Sequence, residues 1–302
     1  MFTGIKSLSR PNARGLTVAA TLNQAISKLR TCTASPQLEA ELLLIHVLGL
    51  RRSDLYAHPE RLLNLEQLRA YEEFVKRRAQ GEPLPYLTGH IEFYGLDLNV
   101  DPRVLIPRPE TETLVELALS EVEQGHSLSV VDVGTGSGCI AIALAVHRPR
   151  ARLYALDLSA GALHVARSNA QRLGVAERIA FVQSDLLTAV RGPVGLIVSN
   201  PPYVAGGEWS TLAYQVAEHE PQLALYGGAD GLSSVRRLLN QARSRLRPGG
   251  VLLIEMGATQ GAAIVRLARN VFPQAEVVLH ADLAGRDRVL RVVTCAQGMC
   301  DG

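Results

Sequence analysis

A strand-like run from Val194 to Ser199 leads straight into Asn200-Pro201-Pro202-Tyr203, and this tetrapeptide holds the residue types best suited to chemistry on a planar nitrogen. An amide or aromatic amino nitrogen is a poor nucleophile because its lone pair is delocalised into the adjoining π system. Asn200, through its side-chain oxygen, and Pro201, through its backbone carbonyl, can each accept one hydrogen of an NH2 group and turn that lone pair outward. Proline rigidity keeps the acceptors in place, and the Tyr203 ring beside Pro202 can stack on the planar group. No strong base is needed at the outset, since the nitrogen becomes acidic only once it carries an extra substituent. Alignment of the reacting atoms, roughly 3 to 3.5 Å apart, supplies most of the effect. Asn200 is therefore expected to position a substrate rather than to act as a base. By itself the tetrapeptide does not separate an adenine amino group from a glutamine amide, and a double proline after a strand can also be punctuation.

Upstream, Asp132-Val133-Gly134-Thr135-Gly136-Ser137-Gly138 ends another β-branched run and opens a helical one. Glycines there permit a tight turn and a close backbone approach to a ligand. A generic nucleotide loop or a simple turn would look the same, and a dinucleotide fingerprint would call for glycine at Cys139. Asp157 ends the next strand, where a carboxylate can accept from both hydroxyls of a ribose. Ser184-Asp185 follows the third strand, where a second acid can accept from the exocyclic amino group of adenine. Either acid alone could be a helix cap; together with the glycine loop they outline a nucleoside site. There is neither a Walker lysine nor a second phosphate loop, so nothing is built to hold a triphosphate. A nucleoside with a short zwitterionic tail fits better, and S-adenosylmethionine is such a molecule. The nitrogen held by Asn200 and Pro201 would then face its sulfonium methyl.

These residues need a scaffold that brings strand ends together. The expected strands are Val130 to Val133, Arg152 to Leu156, Ile179 to Gln183, Leu196 to Ser199, Val251 to Glu255, Glu276 to His280 and Val289 to Thr294. Helical stretches at Cys139 to His147, Ala160 to Leu173, Leu232 to Leu246 and Gln260 to Asn270 alternate with them, which is the order of a parallel sheet with crossover helices. The class is α/β, an open Rossmann-like sandwich of seven mostly parallel strands with an antiparallel edge, and such sheets bind ligands at the carboxyl ends of their strands. The spacing of Leu22, Ile26 and Leu29, then of Leu38, Leu42, Ile45 and Leu48, predicts helices before it. Ser35-Pro36 reads as a cap followed by a first helical residue, and a further helix spans Leu65 to Ala79. Residues 1–15 are expected to be a flexible basic tail, 16–82 a helical substrate-recognition domain, 83–109 a β-hairpin linker rich in proline, and 110–302 the cofactor domain.

At 302 residues the chain can build one large and one small core. Its 47% apolar and 20% charged residues describe an ordinary folded chain. No apolar stretch approaches the ~20 residues of a membrane span, and the basic tail lacks the apolar core of a secretory signal. Cys32, Cys139, Cys295 and Cys300 form no CxxC pair, so neither a zinc site nor any other metal is expected, and a reducing, cytoplasmic setting is. The net charge of +2 argues against a grip on nucleic acid.

Taken together, the motifs resemble the HemK/PrmC peptide chain release factor glutamine methyltransferases over nearly the whole chain. The resemblance rests on 104–112 (Val-Leu-Ile-Pro-Arg-Pro-Glu-Thr-Glu), 132–143, 198–204, 227–231 (Gly-Gly-Ala-Asp-Gly) and 282–288 (Asp-Leu-Ala-Gly-Arg-Asp-Arg). It implies methylation of the glutamine side-chain amide in the Gly-Gly-Gln loop of bacterial release factors, with S-adenosylmethionine as donor and S-adenosylhomocysteine as product. It also implies that Gly134, Thr135, Gly136, Ser137, Gly138, Asp157, Asp185, Leu186 and Asn200 contact the cofactor. Asn200, Pro201, Pro202 and Tyr203 would hold the glutamine, and the helical domain would help to grip the release factor. A monomer without direct contact to nucleic acid or membrane is expected. Leu186 stands where some relatives carry an aromatic residue, so stacking on adenine is not expected there. Arg108, Glu110 and Glu112 either border the site or favour a helix start, and His219-Glu220-Pro221 reads as a lid rather than an acid/base pair. A glutamine of a ribosomal protein and an adenine amino group of nucleic acid are the alternative acceptors.

Overall fold

The computed structural model describes residues 16–122 and 128–295. The expected basic tail and Cys300 lie outside them. The described residues form two compact units that part between Thr88 and Gly89.

The first unit comprises α1 (Val18–Leu29), α2 (Pro36–Leu48), α3 (Arg52–Ala57), α4 (Leu65–Ala79) and α5 (Leu84–Thr88). Val18, Ala25 and Leu29 of α1, Leu43 and Leu44 of α2, and Tyr71 and Val75 of α4 meet in one core. The Thr17 side chain caps α1. Helix α2 begins at Pro36 as expected, but Ser35 makes no side-chain cap; Thr33 instead donates to Glu39 and accepts from the Ser35 amide. Proline does not break α5, because Pro85 sits in the first turn, where no intrahelical N–H bond is lost.

The second unit opens with a hairpin of β1 (His90–Phe93) and β2 (Leu96–Asn99). Tyr94 (φ 51°) and Gly95 (φ 71°) form its two-residue turn, the left-handed pair that suits the twist of a hairpin. Expected within a linker, the hairpin buries Phe93 and Leu98 in the same core as the large sheet. There follow α6 (Thr111–Glu121), β3 (Ser129–Val133), α7 (Cys139–His147), β4 (Arg152–Asp157), α8 (Ala160–Arg172), β5 (Ile179–Gln183) and β6 (Val194–Ser199). The short helices α9 (Tyr214–His219) and α10 (Gln222–Leu225) precede α11 (Ser233–Arg243), β7 (Leu246–Glu255), α12 (Gly261–Val271), β8 (Glu276–Ala281) and β9 (Asp287–Val293).

The seven strands are ordered β5-β4-β3-β6-β7-β9-β8, and β9 runs antiparallel between β7 and β8. The α/β Rossmann-like expectation is met. The largest shift is near Leu246: the helix read as ending there stops at Arg243, and the strand expected from Val251 already begins at Leu246, which pairs with Val194. Central strands are apolar on both faces because both are covered. Val130, Leu196, Val198 and Leu253 pack on one side with α6 and α7, whereas Val131, Ile197, Leu252 and Ile254 pack on the other with α11 and α12. β3 and β6 are parallel neighbours, but successive strands are added outward in opposite directions from them, and this change in strand order is the switch point at which such a sheet opens a crevice.

Candidate active site

Both central strands end in that crevice. β3 runs into the glycine loop, and β6 runs into Asn200. Gly134, Gly136 and Gly138 all have positive φ. At Gly138 a Cβ would stand 2.9 Å from Ile142 Cδ1 and 3.1 Å from Ala166 Cβ, so this glycine serves packing of α7 against α8. Asp157, at the tip of β4, accepts from the Gly136 amide at 2.9 Å and from the Ser159 amide at 2.8 Å. It thereby shapes the glycine loop, and burial pushes its carboxyl above the ordinary range.

A cavity of about 240 Å3 is walled by Gly134, Gly136, Asp157, Asp185, Leu186, Asn200 and Pro202 among others. Thr135, Ser137, Gly138, Pro201 and Tyr203 are not among its walls. Thr135 is buried and donates to Asp132 at 2.7 Å. Leu186 has φ 52°, a left-handed conformation unusual for a leucine, and the Ser184 hydroxyl donates to its carbonyl at 2.8 Å. Asp185 Oδ2 is taken by Arg237 at 2.6 Å, and Arg237 is itself a cavity wall that sequence reading did not single out.

A neighbouring cavity of about 180 Å3 is lined by Arg108, Tyr203, Val204, Leu212, Val216 and Leu225, and it shares Leu105, Asn200 and Ala224 with the first. Burial pushes the Tyr203 hydroxyl up to about 12, so it stays protonated. The outer wall is the segment carrying α9 and α10, with Pro221, Leu223, Ala224 and Tyr226 facing the first cavity. Glu220 is its anchor: buried, it accepts from the Ile106 amide at 3.2 Å and from Arg108. The His219-Glu220 pair is thus structural on the Glu220 side, in line with a wall. Arg108 belongs to the site, while Glu112 accepts from the Tyr94 amide at 2.9 Å.

The Gly227-to-Gly231 motif holds the tetrapeptide from behind. Main-chain hydrogen bonds join the two stretches, with Val204 N donating to Leu225 O and Gly227 N to Val204 O, both at 2.9 Å. A Cβ on Gly231 (φ 73°) would lie 2.3 Å from Tyr203 O. Gly231→Ala is expected to cost about 2 kcal/mol or more, since it adds a main-chain clash to the strain of a left-handed alanine. Gly249→Ala, at φ 69° with nothing within 4 Å, should cost only about 1 kcal/mol. Paired thermal melts check this, and equal destabilisation would contradict the close approach.

Two buried carboxyls stand under the site. Asp132 and Glu255 are fully buried, and burial pushes each up to about 7. Between the ordinary carboxylate range and pH 7 the folded chain therefore holds protons that the unfolded chain has released. Raising the pH through that window must lower stability. The melting temperature of the free protein is expected to fall from pH 5.5 to pH 8, and Glu255→Gln should flatten the slope; a rising curve would refute the assignment. Glu255 did not emerge from the motifs, and Thr111, inside the 104–112 stretch, was given no role, although a lone acid closing the apolar run Val251-Leu252-Leu253-Ile254 is a signal that could have been followed.

Comparison with known proteins agrees with this layout. The family described as PrmC N-terminal domain matches residues 20–89, and that described as Methyltransferase small domain matches 111–228. A "Release factor glutamine methyltransferase" from Chlorobaculum tepidum is 47% identical over 253 residues, 80% of this chain and 86% of that protein. The chain belongs to the release factor glutamine methyltransferase family. A second member, from Moorella thermoacetica, is 44% identical over 275 residues, covering 90% of this chain and 97% of its own. A methyltransferase of known structure from Pyrococcus furiosus has the same fold, with a TM-score of 0.51 at 19% identity over 67% of this chain and 91% of that one. In this release factor glutamine methyltransferase family member, the stretch matched by the PrmC N-terminal domain takes in α2 to α5 and all of α1 but its first two residues.

Proposed function

We propose that this chain transfers the methyl group of S-adenosylmethionine to the side-chain amide nitrogen of the glutamine in the Gly-Gly-Gln loop of peptide chain release factors. Supporting this, its relatives at 47% and 44% identity are named for release factor glutamine methylation. The observation that carries the reading is the place of Asn200, which is a wall of both cavities. One cavity offers acceptors and apolar walls suited to a nucleoside: Asp157 for ribose hydroxyls, the remaining oxygen of Asp185 for an adenine amino group, and Leu158 and Leu186 for the ring faces. The other, lined by Tyr203, takes the planar amide. Bound there, the cofactor supplies a methyl group activated by a positively charged sulfur.

The chain's own residues do the rest. Asn200 Nδ2 donates to Thr111 Oγ1 at 3.1 Å, which leaves Oδ1 for a hydrogen of the substrate NH2. The Pro201 carbonyl accepts the other, so the lone pair turns toward the methyl. Val204 and Leu225 give the cavity buried apolar walls while Tyr203 stacks on the amide. One of the two protons the nitrogen already carried, acidic once the N–CH3 bond has formed and the C–S bond has broken, then leaves to solvent.

Mass spectrometry of purified release factor, after incubation with the chain and S-adenosylmethionine, tests the reading. One methyl on the glutamine of the Gly-Gly-Gln loop is expected. Methylation of a ribosomal protein or an adenine oligonucleotide, with release factor unmodified, would overturn it.

A further inference from the structure

Asn200 can do its proposed work only if its amide faces the right way: oxygen toward the substrate NH2, nitrogen away. Turned over, it would set a donor against a donor. Rotating a terminal amide costs little by itself, so something must hold the orientation.

The structure contains a device for this. Thr111, the first residue of α6, is buried, and its oxygen accepts from Asn200 Nδ2. A hydroxyl that accepts on this side has its own hydrogen left for another acceptor. Glu255 stands next to it. Ser199 pairs with Ile254 across β6 and β7, so one residue on, Glu255 lies beside Asn200. Glu255 is fully buried, and neither of its oxygens has a hydrogen-bond partner of good geometry among the described residues. Thr111 and Asn200 are nevertheless close enough to stabilise its carboxylate. The other groups facing it are Glu110 beside Thr111, Tyr203 after β6, Cys139 on α7 and Arg288 on β9. Arg288 is largely committed elsewhere, donating to Met256 O and to Asp282.

Resting on the function proposed above, we infer that Thr111 and Glu255 are positioning residues that set the polarity of Asn200: an ionised Glu255 draws the Thr111 hydroxyl hydrogen, and Thr111 then accepts only the Asn200 NH2. A carboxylate has no hydrogen to give, so the order of donors along the chain Asn200, Thr111, Glu255 runs one way. A protonated Glu255 can donate to Thr111, whose hydroxyl is then released to donate to Asn200 Oδ1, and the amide turns over. Turnover therefore rises with pH as Glu255 ionises, while cofactor binding does not depend on it.

Wild type, Thr111→Val, Thr111→Ser and Glu255→Gln are compared for release factor methylation from pH 6 to 8, alongside calorimetric titration with S-adenosylmethionine. Losing one aligned hydrogen bond predicts kcat about 10- to 100-fold lower in Thr111→Val, with the cofactor Kd within about threefold. Thr111→Ser keeps the hydroxyl and should restore kcat to within about threefold of wild type. Glu255→Gln, which like the protonated acid can donate, should be about tenfold slower at pH 8 and lose the rise with pH. Serine as slow as valine, a Gln variant with the wild-type profile, or effects confined to cofactor Kd would overturn the inference and leave the proposed function standing. A wild type that methylates no release factor would sink the function itself and this inference with it.

Discussion

Replacing Asn200 by alanine is expected to lower turnover by roughly 10^2 to 10^3 while S-adenosylmethionine affinity stays within about tenfold, or about 1.4 kcal/mol. The asymmetry follows from where the residue stands. As one wall among many in the cofactor cavity, Asn200 contributes limited surface there, and its Cβ survives the substitution. Its amide oxygen, by contrast, is one of only two acceptors assigned to the substrate nitrogen. Losing it removes an interaction that matters most when that lone pair turns to the methyl. Calorimetric titration and single-turnover methylation of release factor separate the two quantities. Unchanged turnover would refute the proposed role, and a cofactor affinity that falls in step with turnover would make Asn200 a cofactor residue.

The second large effect is expected at Asp157. Its two oxygens already accept from Gly136 and Ser159, so Asp157→Ala strips the glycine loop and the start of α8 of an acceptor before any ligand is considered. Losing each of these part-buried hydrogen bonds costs about 0.5 to 1.5 kcal/mol. With no carboxylate to accept from the ribose hydroxyls either, cofactor affinity should fall by roughly 10^2-fold or more, and the melting temperature should fall with it. Asp157→Asn should recover only part of this, because its single oxygen can accept from Gly136 or from Ser159 and its NH2 then faces the other N–H as donor against donor. Cofactor titration and thermal melts decide; parental affinity in Asp157→Ala would remove the ribose role.

What could be read from the chain alone divides along physical lines. The strands of the large sheet were legible because strands covered on both faces are continuous apolar runs, and the polar residues Asp157, Asp185 and Asn200 interrupt the pattern just where the strands stop. The region from 205 to 226 was not, because α9 and α10 span only 6 and 4 residues, too short for a helical period to repeat. The glycine loop shows that a contiguous string need not be a contiguous surface: it turns Gly134 and Gly136 to the cavity and buries Thr135 and Ser137. Arg237 and Glu255 were illegible because each reaches the site from a distant part of the chain, and Thr111, although inside the 104–112 motif, carried no sign of its partner. Arg237 meets Asp185 from α11 and Thr111 meets Asn200 from α6, while sheet register brings Glu255 beside the end of β6.

The main-chain lacing between the tetrapeptide and residues 225–231 separates two things a protein engineer would wish to vary. The path of the loop that carries Asn200 and Pro201 is written in peptide groups and glycines, which no side-chain exchange at Tyr203 can redirect. What surrounds the acceptor nitrogen is written in the side chains of Tyr203, Leu212, Val216 and Leu225, which can be exchanged without unpicking the lacing. Libraries aimed at new amide substrates should therefore resurface those four positions and leave the glycines alone, since alignment and selectivity are encoded in different parts of the polymer.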